Sequence, residues 1–465
     1  MEPRQRLHPL TPLVRSAKFL AVAIAGVSWQ GLDDLGVGPW LLSMVGVLVI
    51  GAVVSLISWA VTGYQLVGRE LRVYEGLLFR RNRTIPLERV QAIDVVRPFI
   101  ARLLGLAELR LEVMGASKTE APLAYLSAGD AARLRQRLVA LVASRPADEA
   151  APVPAEHPVH AIDNRNLLIG QLLTPQTLTL PIGLVFVVGP ALIDPVWTFI
   201  GAASTLTAFV GIFQVPVRRV LDDWGFRIAT DATGLRLRHG LLGTRSHTVP
   251  PARVQAVKIT WPLLWRLKRW ARVRMDVAGY GGGEAAEKMR AGMLLPVAAP
   301  DTTRSVSAFA LGGAVHGTLD GPPVDPLTLP TTPPPRRARW LAPFAQPRIG
   351  FGVTDEVVTA REGVLTRELV AVPLARVQSV RVVQGPIQRR LRLASVHVDT
   401  AGGLHAVGRH RDVLEAYVLA GELAARSRAA RARATAARAD AAGGDGGESS
   451  TSAPRSTEAV PEWLG

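Results

Sequence analysis

Two periods alternate along the chain. ELRVYEG (Glu70–Gly76), VQAIDVV (Val90–Val96) and ELRLEV (Glu108–Val113) switch between apolar and polar at nearly every residue, the pattern of strands with one buried face. SAGDAARLRQRLVALVAS (127–144) instead gathers Leu134, Leu138, Leu141 and Val142 on one helical face behind a Ser-x-x-Asp cap. HRDVLEAYVLAGELAARS (410–427) repeats that helix. A third pattern is unbroken apolarity. No charge occurs between Leu35 and Gly68, a run longer than the roughly 20 residues that cross a bilayer. With 13–32, where Arg15 and Lys18 would snorkel, and the pair 166–193 and 195–217, about four transmembrane helices in two hairpins are expected.

The strand pattern recurs. PLERVQAIDVV (Pro86–Val96), PPARVQAVKIT (Pro250–Thr260) and PLARVQSVRVV (Pro373–Val383) are three versions of one segment. Counted from Arg89, Arg253 and Arg376, the prolines Pro86, Pro250 and Pro373 lie three residues back. Gly76, Gly240 and Gly363 lie thirteen back, each opening a Gly-Leu-Leu or Gly-Val-Leu hairpin turn. Glu112, Asp276 and Asp399 lie 23 on, and Gly115, Gly279 and Gly402 lie 26 on. Self-similarity at four fixed offsets means three copies of one α+β unit, a bent antiparallel sheet closed by a C-terminal helix, each copy taken as an independently folded module.

This arrangement of strand, Gly-Leu-Leu turn, Pro-x-x-Arg-Val-Gln and an Arg-Leu-Leu-Gly-like segment resembles the bacterial pleckstrin-homology-like (PH-like) membrane proteins, in which such domains alternate with helical hairpins. RLHPLTPLVR (6–15) and NRNLLIGQLLTP (164–175) resemble the lead-ins to those hairpins. The first copy keeps RLLG (102–105); the second has RLKR (266–269) and the third RLRL (390–393), and no hairpin precedes the third copy. The resemblance implies PH-like modules and leaves their activity open.

The chain divides into an N-terminal segment with hairpin one (1–63), module one (64–145), a linker (146–163) and hairpin two (164–217). Module two (218–311), a Pro-rich linker (312–339), module three (340–427) and a tail follow (428–465), the tail Ala/Arg-rich, then of disordered composition. Charge then changes the picture. The 54 Lys and Arg outnumber 38 Asp and Glu, a net +16, while the mean hydropathy is positive at +0.21. A basic and greasy chain suits a membrane protein facing an anionic surface. Basic residues Arg15, Lys18, Arg69, Arg72, Arg165, Arg218 and Arg219 flank the expected spans, whereas Asp33, Asp34 and Asp194 occupy the turns. A multi-pass protein of the bacterial plasma membrane with modules and both termini cytoplasmic is therefore expected.

The candidate contacts for anionic lipid or a protein partner are three basic clusters: Arg80, Arg81 and Arg83; Trp265, Arg266, Lys268, Arg269 and Trp270; and Arg389, Arg390 and Arg392. The tryptophans suit a headgroup interface or a core, and both readings stand. The clusters are read as out of register between copies, which favours general electrostatics over a common pocket. Arg89, Arg253 and Arg376 either meet phosphates or serve the fold by pairing with the recurrent acid or capping a strand; the spacing of their neighbours favours the second. Gln91, Gln255 and Gln378 share that ambiguity.

Catalytic signals are thin. The chain has no Cys, His157 and His160 lack a carboxylate at ligand spacing, and GYGGGEAAEK (279–288) lacks the ending of a phosphate loop. No cofactor, metal or nucleic-acid partner is expected. The expected function is a non-enzymatic integral membrane protein whose three cytoplasmic modules form an interaction or scaffolding platform, through a protein partner or self-association. The alternative is recognition of an anionic lipid headgroup in envelope homeostasis or stress resistance.

Overall fold

The computed structural model describes residues 5–9, 11, 37–75, 81–113, 121–142, 157–174, 185, 214–231, 234–278, 292–319 and 322–443. In the first module β1 (Gln5–Arg6), β2 (Gly63–Val67), β3 (Glu70–Glu75) and β4 (Arg81–Pro86) pair in that order, with helix α1 (Val37–Val61) leading into β2. A second ladder holds β5 (Val90–Arg97), β6 (Leu106–Val113) and β7 (Ala121–Ser127), with helix α2 (Phe99–Leu103) after β5 and α3 (Ala128–Val142) at the end. Ser127 caps α3 by accepting from the Asp130 amide at 3.1 Å.

The second module runs β8 (His157–Ala161), α4 (Asn164–Leu172), β9 (Arg227–Asp231), β10 (Gly234–His239), β11 (Thr244–Val249), β12 (Val254–Trp261), β13 (Ala271–Val277), β14 (Met293–Ala298) and α5 (Pro300–His316). The third runs β15 (Gly350–Val353), β16 (Val357–Glu362), β17 (Arg367–Pro373), β18 (Val377–Val383), α6 (Pro386–Arg390), β19 (Leu393–Thr400), β20 (His405–Asp412) and α7 (Val413–Gly443).

The repeated segment is the crossing from one sheet of a module to the other. Pro86, Pro250 and Pro373 end the strand, since proline has no N–H for a ladder. A three-residue 3-10 turn follows in each copy, ending at Arg89, Arg253 and Arg376, and the next strand starts at the valine. Leu87, Pro251 and Leu374 of these turns are buried. The ladder then skips one residue between Val90 and Ala92, Val254 and Ala256, and Val377 and Ser379. Gln91, Gln255 and Gln378 therefore each occupy a β-bulge, which bends the strand.

The modules are fused through their sheets, which corrects the expectation of independent units. β5 of module one pairs with β11 of module two, and β12 of module two pairs with β17 of module three, giving sheets of seven and six strands that straddle the junctions. Both junctions use one register. Val96 lies opposite Arg245, and Thr260 opposite Glu368, each pair joining the residue seven after one repeat arginine to the residue eight before the next. Leu369, Ala371 and Val357 of module three enter the core of module two, and Ala256 enters that of module three. The burial of these side chains, worth about 25 cal/mol per Å² of apolar surface, is shared by two modules.

The four-span architecture is also corrected. Among the described residues no helix is long and apolar enough to cross a membrane. The uncharged run 35–68 is divided: α1 stops at Val61 and residues 63–67 become strand β2, whose Tyr64 is buried in the first module. Helix α4 is nine residues and packs on β14. Residues 12–36 and nearly all of 175–213, where the remaining spans are expected, lie outside the described residues. Both expected linkers contribute to the modules. β8 pairs with β9, and residues 322–335 form a strap that starts on module two, where the Val324 amide donates to the Ala308 carbonyl and Arg304 pairs with Asp325, and ends on module three, anchored by the Thr332–Phe351 bridge. Arg411 clasps that strap, donating to the Thr332 and Pro333 carbonyls, each at 3.0 Å.

Candidate functional site

At the second junction the fused sheet opens a cavity of about 840 Å³ lined by five arginines: Arg266, Arg269, Arg348, Arg361 and Arg367. They arrive on two 3-10 turns and the two arms of one hairpin. Arg266 lies in the 3-10 turn Leu264–Lys268 and Arg269 caps it with φ 57°. Arg348 ends the turn Gln346–Arg348, and Arg361 and Arg367 flank the β16–β17 hairpin. That hairpin turns at Gly363, φ 101°, where a Cβ would lie 1.8 Å from the Thr366 carbonyl oxygen.

The basin is electrostatically lopsided. Its two acids are engaged: Glu368 with Lys258 at 2.7 Å and Glu362 with Arg409. Arg361 donates to the Leu327 carbonyl at 2.8 Å and Arg348 to that of Phe344 at 3.0 Å. Arg266, Arg269 and Arg367 have no hydrogen-bonded or ion-paired side-chain partner among the described residues. The Arg266 guanidinium is held below its ordinary range, first by loss of solvent, then by the charges of Arg367 and Arg348. Like charges brought together without a counterion make a receptor for a multivalent anion, and guanidinium forks match phosphate oxygens.

The same segments expose large apolar side chains. Leu267 is 81% exposed between Arg266 and Arg269, Leu365 66% in the hairpin, and Trp340 84% and Phe344 77% before Arg348. Sequence reasoning passed over Arg348, Arg361, Arg367, Trp340 and Phe344. The available signals were RWLAPFAQPR (339–348) and the paired charges of REGVLTRE (361–368) around a turn.

Beneath the basin the backbone is pinned by Trp265, which is fully buried. Its indole N–H donates to the Gly170 carbonyl of α4 at 2.8 Å, and the Arg272 guanidinium lies 5.0 Å from its ring centre. A Cβ on Gly170 would sit 2.7 Å from a Val297 methyl and 3.3 Å from the indole. Trp265 is thus a core residue, with Trp270 half-buried against the same cluster.

A family model described as Bacterial PH domain matches residues 19–142, 179–308 and 326–429. The chain belongs to the bacterial PH domain family. The third match begins inside the strap, in keeping with its docking on the third PH domain. UPF0699 transmembrane protein YdbT of Bacillus subtilis (strain 168) is 24% identical over 271 residues, 52% of this chain and 55% of that protein. The chain therefore spans about half the length of the curated relative it matches. No solved structure matches.

The second and third basic clusters are in register, whereas Arg80, Arg81 and Arg83 of the first domain lie six to nine residues before its repeat arginine and have no counterpart in them. Gly105, Arg269 and Arg392 each lie sixteen residues after the repeat arginine, and all three have positive φ, 68°, 57° and 51°. The third counterpart of RLLG is therefore RRLR (389–392), one residue earlier than its sequence alignment suggests, and Arg102, Arg266 and Arg389 are equivalent. Their environments differ. Arg102 donates to the Leu241 carbonyl of the second domain's hairpin at 2.8 Å, Arg266 lines the basin, and Arg389 is exposed beside exposed Arg390 and Arg392. Lys268 is exposed outside the basin lining, Arg83 is exposed on β4, Arg81 lies on β4, and Arg80 and Gly76 fall outside the described residues.

Two of the three repeat arginines reach backward across junctions. Arg253 donates to the Val90 carbonyl of the first domain at 3.4 Å, and Arg376 to that of Ala314, near the C-terminus of α5, at 3.5 Å, where the helix dipole favours a cation. Arg89 lies exposed at the end of its turn. Of the recurrent acids, Asp399 holds Arg381 at 2.7 and 2.9 Å, and Asp276 accepts from the Leu404 amide of the third domain at 2.7 Å. Gln255 donates to the Arg253 carbonyl at 3.1 Å, and Gln378 is exposed.

Proposed function

We propose that this chain is a non-enzymatic, membrane-apposed interaction platform in which three fused PH domains act as one body, with the five-arginine basin as its place for the phosphates of anionic lipid. The observation that carries this reading is the pairing of unpartnered guanidinium groups with exposed apolar tips on the same segments. Cations attract an anionic leaflet, and Leu267, Leu365, Trp340 and Phe344 gain by entering the interface. Placement at the bacterial plasma membrane, domains on the cytoplasmic side, is supported by the net charge of +16 and by the word transmembrane in the relative's name. The scaffolding role follows from continuous sheets that fix the spacing of the domains.

The test is co-sedimentation of the full chain with phosphatidylcholine vesicles carrying increasing phosphatidylglycerol, at several salt concentrations. Arg266→Glu, Arg269→Glu and Arg367→Glu together should weaken binding about tenfold or more, about 1.4 kcal/mol or above. The same change at Arg389, Arg390 and Arg392 should do less. Equal losses would reduce the basin to one part of a general basic surface. Competition by inorganic pyrophosphate as effective as by lipid would assign it to a soluble phosphate instead.

A further inference from the structure

The two junctions define a pairing rule, and β18 presents its receiving side with no strand upon it among the described residues. β18 is the counterpart of β5 and β12, the strands that receive β11 and β17. It pairs with β19 on one side only. On β12, Gln255, Ala256, Val257 and Ile259 are all buried; on β18 the corresponding Gln378 and Ser379 are exposed and Val380 and Val382 half-buried. Val383 is 43% exposed.

Charge adds specificity. At the second junction Lys258, five residues after the repeat arginine, bonds Glu368, eight before the next. The same two positions at the first junction hold Asp94 and Arg245, the signs reversed. On β18 the five-position is Arg381, of whose guanidinium Asp399 occupies Nε and Nη2, leaving donors on the outer side. The strand β4 of a second copy would bring Arg81 to the opposing position, and like charges facing each other disfavour end-to-end joining of identical chains.

We infer that the β18 edge is a strand-addition site for another protein, which docks an extended antiparallel segment of alternating apolar residues carrying a carboxylate where Glu368 stands on β17. Main-chain hydrogen bonds supply the affinity, and the carboxylate on Arg381 sets the register.

The absence of cysteine makes this testable by disulfide trapping. The probe is a synthetic peptide of residues 365–374, LTRELVAVPL, with Leu369→Cys. By the rule it should trap full-length Val382→Cys, because Leu369 faces Ile259, the counterpart of Val382. Trapping at Val380→Cys should be about tenfold less. Arg381→Glu or Arg381→Gln should lower the yield, and Glu368→Arg in the peptide should restore it with Arg381→Glu. Equal trapping at both cysteines, or indifference to the charge exchange, would overturn the proposal. Val382→Cys chains that couple to each other in preference to the peptide would assign the edge to a second copy and overturn it as well.

Discussion

Asp276 of the second PH domain accepts a hydrogen bond from the Leu404 amide of the third at 2.7 Å, and Gly402 lies so close that a Cβ there would sit 2.3 Å from the carboxylate. Asp276→Ala leaves that amide without its acceptor and should cost about 1–3 kcal/mol; Asp276→Asn, which keeps an oxygen, should cost less. Denaturant unfolding of the full chain, followed by hydrogen exchange at residues 400–404, measures both. Equal stability of the three proteins would mean that this latch contributes nothing to the junction.

Much of the module was legible because the same physics is written three times. Pro86, Pro250 and Pro373 end strands, and Gly240 and Gly363 turn hairpins, for reasons local to their own backbone. The junctions were hidden because β5 meets β11 and β12 meets β17 across more than a hundred residues, and a strand's alternation does not name its partner. The basin was half visible. Arg266 and Arg269 stood in a basic run, but Arg348, Arg361 and Arg367 are brought to them only by the fused sheet. The indole of Trp265 carries no sequence mark separating a core ring from an interfacial one.

Trp265 anchors the segment that supplies Arg266 and Arg269. Trp265→Ala should destabilise the protein by about 3–5 kcal/mol through the cavity it leaves, and Gly170→Ala by about 1–3 kcal/mol through overpacking against Val297. Thermal unfolding distinguishes these from Trp270→Ala, whose half-buried ring should cost less. A tolerated Trp265→Ala would contradict its place in the core.

Trp340 and Phe344 should matter for lipid and little for stability. Trp340→Ser with Phe344→Ser removes two exposed rings, so unfolding should be unchanged while vesicle affinity falls about tenfold or more. Unchanged vesicle affinity would remove the apolar tips from the account.

Asp399 supplies a pH dependence of defined sign. The hydrogen bond from Arg381, then that from Ser379, holds its carboxyl down to about 2 from an ordinary 3.8. A depressed carboxyl stabilises the fold above its unfolded value and loses that contribution as pH falls through the folded one. The stability gap between the parent and Asp399→Asn should thus be full at neutral pH and shrink from about pH 4 towards 2. A gap constant over that range would show that the ion pair does not set it.

The most direct measurement is hydrogen exchange of the full chain bound to phosphatidylglycerol vesicles, compared with the free chain. Slowed exchange is predicted in residues 264–269, 340–350 and 361–368, lost on Arg266→Glu, Arg269→Glu and Arg367→Glu. Protection confined to 386–392 or to β4, with those segments exchanging as in the free chain, would contradict the basin as the membrane-facing site.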